Sequence, residues 1–152
     1  MSRVQLALNV NDIDEAVAFY ARLFGTEPAK RRPGYANFAI TQPPLKLVLL
    51  ENPGQGGTLN HLGVEVDSTD AVDAEQARLA GTGLAAVEER DTTCCYARQD
   101  KFWVKDAPDG ESWEFYTVLE DSTTFYGQDD SQACCGRPAG SSAGTAAGTS
   151  CC

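Results

Sequence analysis

The chain has 152 residues, 42% of them hydrophobic and 22% charged, and carries a formal net charge of -10 at pH 7, the size and make-up of one globular domain. That acidic balance argues against nucleic acid and anionic membrane as partners, because a phosphate-binding surface needs a basic excess. A soft cation or a neutral small molecule fits it better. No apolar run nears the roughly 18 residues of a membrane span and the N-terminus lacks a signal-peptide pattern, so the cytoplasm is the expected location.

Along the chain, residues 4–10 alternate Val4, Leu6, Leu8 and Val10 with Gln5, Ala7 and Asn9, the period of a strand with two unlike faces. Asn11 or Asp12 can cap the helix that follows. Its apolar stripe is expected from Ala16, Val17, Phe19, Tyr20 and Leu23, with Gly25 as its stop. Short β-like runs come next at 35–40 and 46–50. The Asn-Pro-Gly-Gln-Gly-Gly stretch at 52–57 reads as a boundary. A strand is then expected at 60–66, a cap at Ser68 or Thr69, a helix running to Leu79, and Gly81 as the second stop. Further strands are expected around 85–89, 101–105 and 112–118, with Asp109-Gly110 as a turn before the last. Beyond Thr124 the composition changes: residues 136–150 are nearly all Gly, Ala, Ser, Thr and Pro. Such a segment buries too little apolar surface to offset its ordering entropy.

The two halves repeat. Sliding the chain by 56 positions lays Gln5–Gly25 over His61–Gly81 with eight identities, ending in Ala-Arg-Leu-x-Gly both times. About one identity is expected by chance over that length. Duplication of one strand–helix–strands module is the simplest account. The expected organisation is a first module over 1–51, a second over 58–124 and a flexible tail over 125–152.

Gln5 and His61 occupy equivalent positions in the copies, out of phase with the apolar face that packs under each helix, which puts both on the opposite face of the sheet. His61 is the only histidine. Glu114 lies in the last strand between Trp113 and Phe115, and a carboxylate among aromatics needs a compensating partner, for which a metal ion is a candidate. The six cysteines form three adjacent pairs, Cys94-Cys95, Cys134-Cys135 and Cys151-Cys152. Neighbouring cysteines rarely bridge one another, so reduced vicinal thiols are expected, groups with an affinity for soft metals and metalloids.

The duplicated module, a ligand-type residue on the first strand of each copy, and the closing segment Ala107-Pro-Asp-Gly-Glu-Ser-Trp-Glu114 resemble the vicinal oxygen chelate superfamily, which includes glyoxalase I, extradiol dioxygenases and the fosfomycin- and bleomycin-resistance proteins. The Asn-His-Leu-Gly-Val-Glu-Val strand and the Thr-Thr-Cys-Cys-Tyr-Ala-Arg-Gln-Asp-Lys-Phe-Trp-Val stretch are similar to the arsenic-resistance C–As lyases and related cadmium-induced proteins. The resemblance implies an α+β fold, two tandem βαβββ modules whose eight strands form a curved mixed sheet around a metal cleft. It implies Gln5, His61 and Glu114 as metal ligands, with Gln5 standing where many relatives have histidine. It also implies a loop bearing Cys94 and Cys95 over the cleft as the binding site for a trivalent organoarsenical. Fe(II) is the implied cofactor and dioxygen the co-substrate, in a monomer or homodimer that releases inorganic arsenite. Two other readings stay open: a thiolate protein that sequesters cadmium or arsenite, and a metal-dependent thiol transferase of the fosfomycin-resistance kind. The tail thiols either gather metalloid or merely accompany a resistance protein.

Overall fold

Two strands with one polar and one apolar face each meet at the centre of the sheet, and the rest of the molecule is arranged about them. The structure, a computed structural model, describes residues 2–126. The tail expected over 125–152 and its pairs Cys134-Cys135 and Cys151-Cys152 lie outside these residues, except for Phe125 and Tyr126. The elements run β1 (Arg3–Val10), α1 (Ile13–Phe24), β2 (Lys30–Arg32), β3 (Tyr35–Ile40), β4 (Leu45–Glu51), β5 (Leu59–Glu65), α2 (Thr69–Ala80), β6 (Val87–Cys94), β7 (Ala97–Val104) and β8 (Trp113–Asp121). This is βαβββ twice. The eight strands form one curled mixed sheet in the order β2-β3-β4-β1-β5-β8-β7-β6.

The two halves join through β1 and β5, which run antiparallel with Leu6 opposite Leu62. Each half also holds one parallel pair, β1 with β4 and β5 with β8. The α1 helix packs on β3 and β4, and α2 on β7 and β8. Under α1, Val10, Ile13, Val17, Phe38, Leu47 and Leu49 form a core; under α2, Val66, Val72, Leu79 and Phe102 form another. The opposite face carries Gln5, Ala7 and His61, all buried. No described helix is long and apolar enough to cross a membrane.

The helix ends follow local chemistry. Asp12 accepts from the Glu15 N–H and Ser68 from the Ala71 N–H, so these two residues are the N-caps. Gly25 closes α1 in the left-handed region at φ 63°, as a C′ glycine does. Gly81 does not repeat this: its φ is -64°, and the left-handed position falls on Gly83 at φ 83°, because the Gly-Thr-Gly sequence allows one more turn before the reversal. The stripe of α1 also differs from expectation. Ile13 and Val17 are buried, with Ala16, Tyr20, Ala21 and Phe24 against the same core, whereas Phe19 and Leu23 are 51% and 58% exposed. At about 100° per residue, Ile13, Val17, Tyr20 and Phe24 share one line, and Phe19 and Leu23 fall well to its side.

β2 went unanticipated, being three polar or basic residues at the sheet edge. β6 and β7 are longer than the expected 85–89 and 101–105. They meet in a tight hairpin in which Cys94 pairs with Ala97, so Cys94 ends a strand and only Cys95 and Tyr96 turn. Both turn residues have positive φ, 55° and 61°, the signature of a type I′ turn normally given to Asn-Gly. Non-glycine residues there cost on the order of 1–3 kcal/mol each. Tyr96 offsets part of that by packing 5.3 Å from both the Tyr35 and Phe125 rings. The Cys95 N–H donates to Phe125 O at 2.9 Å.

Candidate functional site

On the concave face, three side chains from three neighbouring strands converge. Gln5 of β1 and Glu114 of β8 both stand opposite Gly63 of β5 in their ladders. His61, two residues earlier on β5, shares their face. Gln5 Nε2 lies 3.0 Å from His61 Nε2 and 2.5 Å from Glu114 Oε1, and His61 Nε2 lies 3.1 Å from Glu114 Oε1. All three are at least 95% buried. Gly63 makes the convergence possible: a Cβ there would stand 3.0 Å from Glu114 Cγ and 3.3 Å from Gln5 Cβ and Nε2.

A chain of amides sets the tautomer of His61. The Thr58 hydroxyl donates to the Gln55 carbonyl, so its oxygen accepts from Asn9 Nδ2 at 2.9 Å. Asn9 Oδ1 then accepts from Asn60 Nδ2 at 2.9 Å, which leaves Asn60 Oδ1 facing His61 Nδ1 at 2.8 Å. Nδ1 therefore carries the proton in the neutral ring and the Nε2 lone pair faces Gln5 and Glu114. The other side of the site is ionic. Glu65 receives Arg3 on both oxygens at 3.1 and 3.2 Å and Lys46 at 3.3 Å, and its Oε2 lies 3.1 Å from the Tyr116 oxygen. Tyr116 donates to Gln5 Oε1 at 2.5 Å.

The partner that Glu114 requires is supplied within the chain by Lys101, which is fully buried. Its Nζ lies 3.5 Å from Glu114 Oε2, 3.6 Å from Glu89 Oε2 and 5.0 Å from the Trp103 ring centre. Burial works against the Glu114 carboxylate, but Lys101 first, with the His61 ring and the Gln5 N–H beside it, outweighs it and draws its pKa down to about 2. Lys101, in turn, is held in its charged form against burial by Cys94, Glu114, Cys95 and Glu89.

Cys94 and Cys95 are not disulfide-bonded; their sulfurs are 3.2 Å apart. They line one cavity of ≈ 250 Å³ together with Gln5, His61 and Glu114. The Cys95 thiol donating to Cys94 draws the Cys94 pKa down, against burial and with the help of Lys101. The same hydrogen bond and burial push Cys95 well up. The pair is therefore a more acidic thiol backed by a less acidic one, a poise suited to a thiophilic electrophile. Gln99, 5% exposed, lines the same cavity with an amide oxygen that has no hydrogen-bond partner among the described residues.

All five residues singled out in the sequence thus lie on one cavity. The thiols differ from expectation: Cys94 ends β6 and only Cys95 lies in the hairpin turn, in place of a loop carrying both. The sequence places Lys101 as a wall residue and Tyr116 on the face of Glu114 but assigns neither a role, and Glu65 was not anticipated; only cross-strand neighbours reveal what each of them meets. Among the described residues no group of three His, Cys, Asp or Glu is placed to hold a metal ion. The third member of the triad is an amide, so any cation bound there would have imidazole, carboxylate and amide donors.

Residues 3–115 match the Glyoxalase/Bleomycin resistance protein/Dioxygenase superfamily, and the chain belongs to it. It is 57% identical, over all of both chains, to a protein of Thermomonospora curvata named trivalent organoarsenical cleaving enzyme. It is 69% identical to the cadmium-induced protein CadI of Mycobacterium tuberculosis over 125 residues, 82% of each chain. Among solved structures, an extradiol ring-cleaving dioxygenase of B. fuscum superposes with a TM-score of 0.55 at 21% identity, covering 79% of this chain and 33% of that one, a likeness of fold.

Proposed function

We propose that the protein is a C–As lyase that degrades trivalent organoarsenicals to arsenite, using Fe(II) held by Gln5, His61 and Glu114 and dioxygen as co-substrate. The observation that carries this reading is the placement of an adjacent thiol pair and an amide–imidazole–carboxylate triad on one small cavity. The name of the Thermomonospora curvata relative supports the same substrate class.

The triad suits the metal. Ligands about 2.0–2.2 Å from a cation, at right angles to one another, stand about 3 Å apart; His61 Nε2 and Glu114 Oε1 lie 3.1 Å apart, with the end of the Gln5 amide beside both. The His61 tautomer offers a lone pair, and Gly63 leaves the space that an added Cβ would take from Gln5 and Glu114. One carboxylate with two neutral donors is the facial set of oxygen-using Fe(II) sites. A ferrous ion, when bound, supplies open positions at which dioxygen becomes reactive toward a closed-shell substrate. Gly63→Ala is expected to weaken divalent-metal binding about 10–100-fold, read by titration of the metal-free protein with Co(II).

The chain's own groups do the binding. Cys94 and Cys95 each form one As–S bond as two As–O bonds of the arsonous acid break, and one hydroxide and one water leave. Gln99 Oε1 is placed to accept from an arsenic-bound hydroxyl before it departs. Lys101 favours the ionised form of Cys94 at the start of this exchange. For a methyl group the net reaction balances as methylarsonous acid plus dioxygen to formaldehyde plus arsenous acid. Arsenic stays trivalent and the electrons lost by carbon reduce the oxygen.

The test is arsenite release from a trivalent methylarsenical, with and without oxygen and before and after chelation. Release that needs both oxygen and metal is expected. The second reading, a sequestering protein, is favoured by the thiol pair and by the name of the mycobacterial relative. It predicts tight arsenic uptake with no oxygen dependence and no arsenite.

A further inference from the structure

We infer that Tyr116 and Glu65 are positioning residues that let the Gln5 amide turn through half a revolution, Nε2 facing His61 and Glu114 without a cation and Oε1 facing them with one. This rests on the metal-site reading above. In the structure Nε2 points inward, to His61 Nε2 and Glu114 Oε1, and Oε1 accepts from Tyr116. The inward N–H groups lie where a cation's positive charge would lie, which suits the lone pairs facing them.

An amide N–H group cannot ligate a cation, so ligation requires Oε1 inward and brings Nε2 to the Tyr116 oxygen. If that hydroxyl could only donate toward Gln5, two donors would then face each other. Tyr116 has a second acceptor: Glu65 Oε2 lies 3.1 Å from its oxygen. Rotation of the O–H bond sends the proton to Glu65 and presents a lone pair to Nε2. Glu65 cannot answer as a donor, because Arg3 and Lys46 already hold it as a carboxylate. In both orientations the Gln5–Tyr116 contact pairs one donor with one acceptor, so the turn does not set two donors against each other there. A histidine in place of Gln5 would present its lone pair without any such turn. The Tyr116–Glu65 pair is thus the adaptation that a glutamine ligand requires.

Co(II) titration of four metal-free proteins tests this: the natural chain, Tyr116→Phe, Gln5→His, and Gln5→His with Tyr116→Phe. The phenylalanine is expected to weaken cobalt binding about 10–100-fold beside Gln5 and to leave it within about three-fold in the Gln5→His background. Glu65→Gln, whose single oxygen is claimed by Arg3 and Lys46 and whose amide would donate to Tyr116, is expected to weaken binding as Tyr116→Phe does. The Gln5 side-chain amide signals should also shift on adding cobalt. Equal losses in both backgrounds, or no loss beside Gln5 or with Glu65→Gln, would overturn the amide turn while leaving the metal site standing. A natural chain that takes no cobalt would overturn the site reading itself.

Discussion

Cys94→Ser is expected to lower arsenite release from a trivalent methylarsenical by about two orders of magnitude or more, with cobalt or iron binding unchanged. Serine oxygen is a poor partner for trivalent arsenic and stays protonated near neutral pH, so the substrate would be held by one As–S bond in place of two. The effect exceeds the loss of one contact, because the second sulfur acts intramolecularly once the first has bound, and such tethering is worth many powers of ten in effective concentration. Cys95→Ser removes the second bond and also the donor that stabilises the Cys94 thiolate. Metal content separates this account from a general collapse of the site, since neither sulfur lies in the Gln5–His61–Glu114 triad. Unimpaired turnover in either variant would remove the clamp.

Lys101→Met should cost about 3–5 kcal/mol of stability, the range found when one member of a buried ion pair is removed. For a domain of this size that is a fall in Tm on the order of 10–20 °C. Methionine nearly matches the lysine stem in volume, so the loss is electrostatic: Glu114 and Glu89 both lose the ammonium between them. The second consequence is chemical. Lys101 helps hold Cys94 below the usual thiol range, so its thiolate absorbance should appear at higher pH in the variant. Unchanged melting together with an unchanged thiol titration would show that Lys101 is not the link between the two parts of the site.

Much of this architecture could be read from the chain because it is written twice. The 56-residue offset places Gln5 and His61 in one strand position, and strand alternation turns both away from the helices, as the structure has them. Glu114 could be found because a carboxylate between Trp113 and Phe115 is conspicuous. The role of Lys101, readable only as a wall residue, could not, since Asp100 beside it suggests a solvated stretch and the carboxylates that neutralise it come from β6 and β8. The β6 strand, Val-Glu-Glu-Arg-Asp-Thr-Thr-Cys, shows no apolar alternation and carries a register shift near Asp91, whose φ is 50°. Its pairing is set by β7 and not by its own pattern. The stripe of α1 was misplaced because Phe19 and Leu23 outweigh Ile13 in apolar bulk, although only Ile13 lies in line with Val17 and Phe24.

The pairing of Leu6 with Leu62 joins two residues that are also 56 apart, the offset of the repeat, so an approximate dyad passes between them. Applied to the ladders, it carries Ala7 onto Gly63. Ala7 stands beside Val48 as Gly63 stands beside Glu114. Val48 is therefore the mirror position of Glu114, buried and on the same cavity. A newly doubled gene starts with its four corners alike in pairs; this chain has kept donor atoms at three and hydrocarbon at the fourth. The asymmetry sets a hydrocarbon side chain at the corner where its twin strand has a carboxylate, and so gives a carbon-bearing guest an apolar contact there.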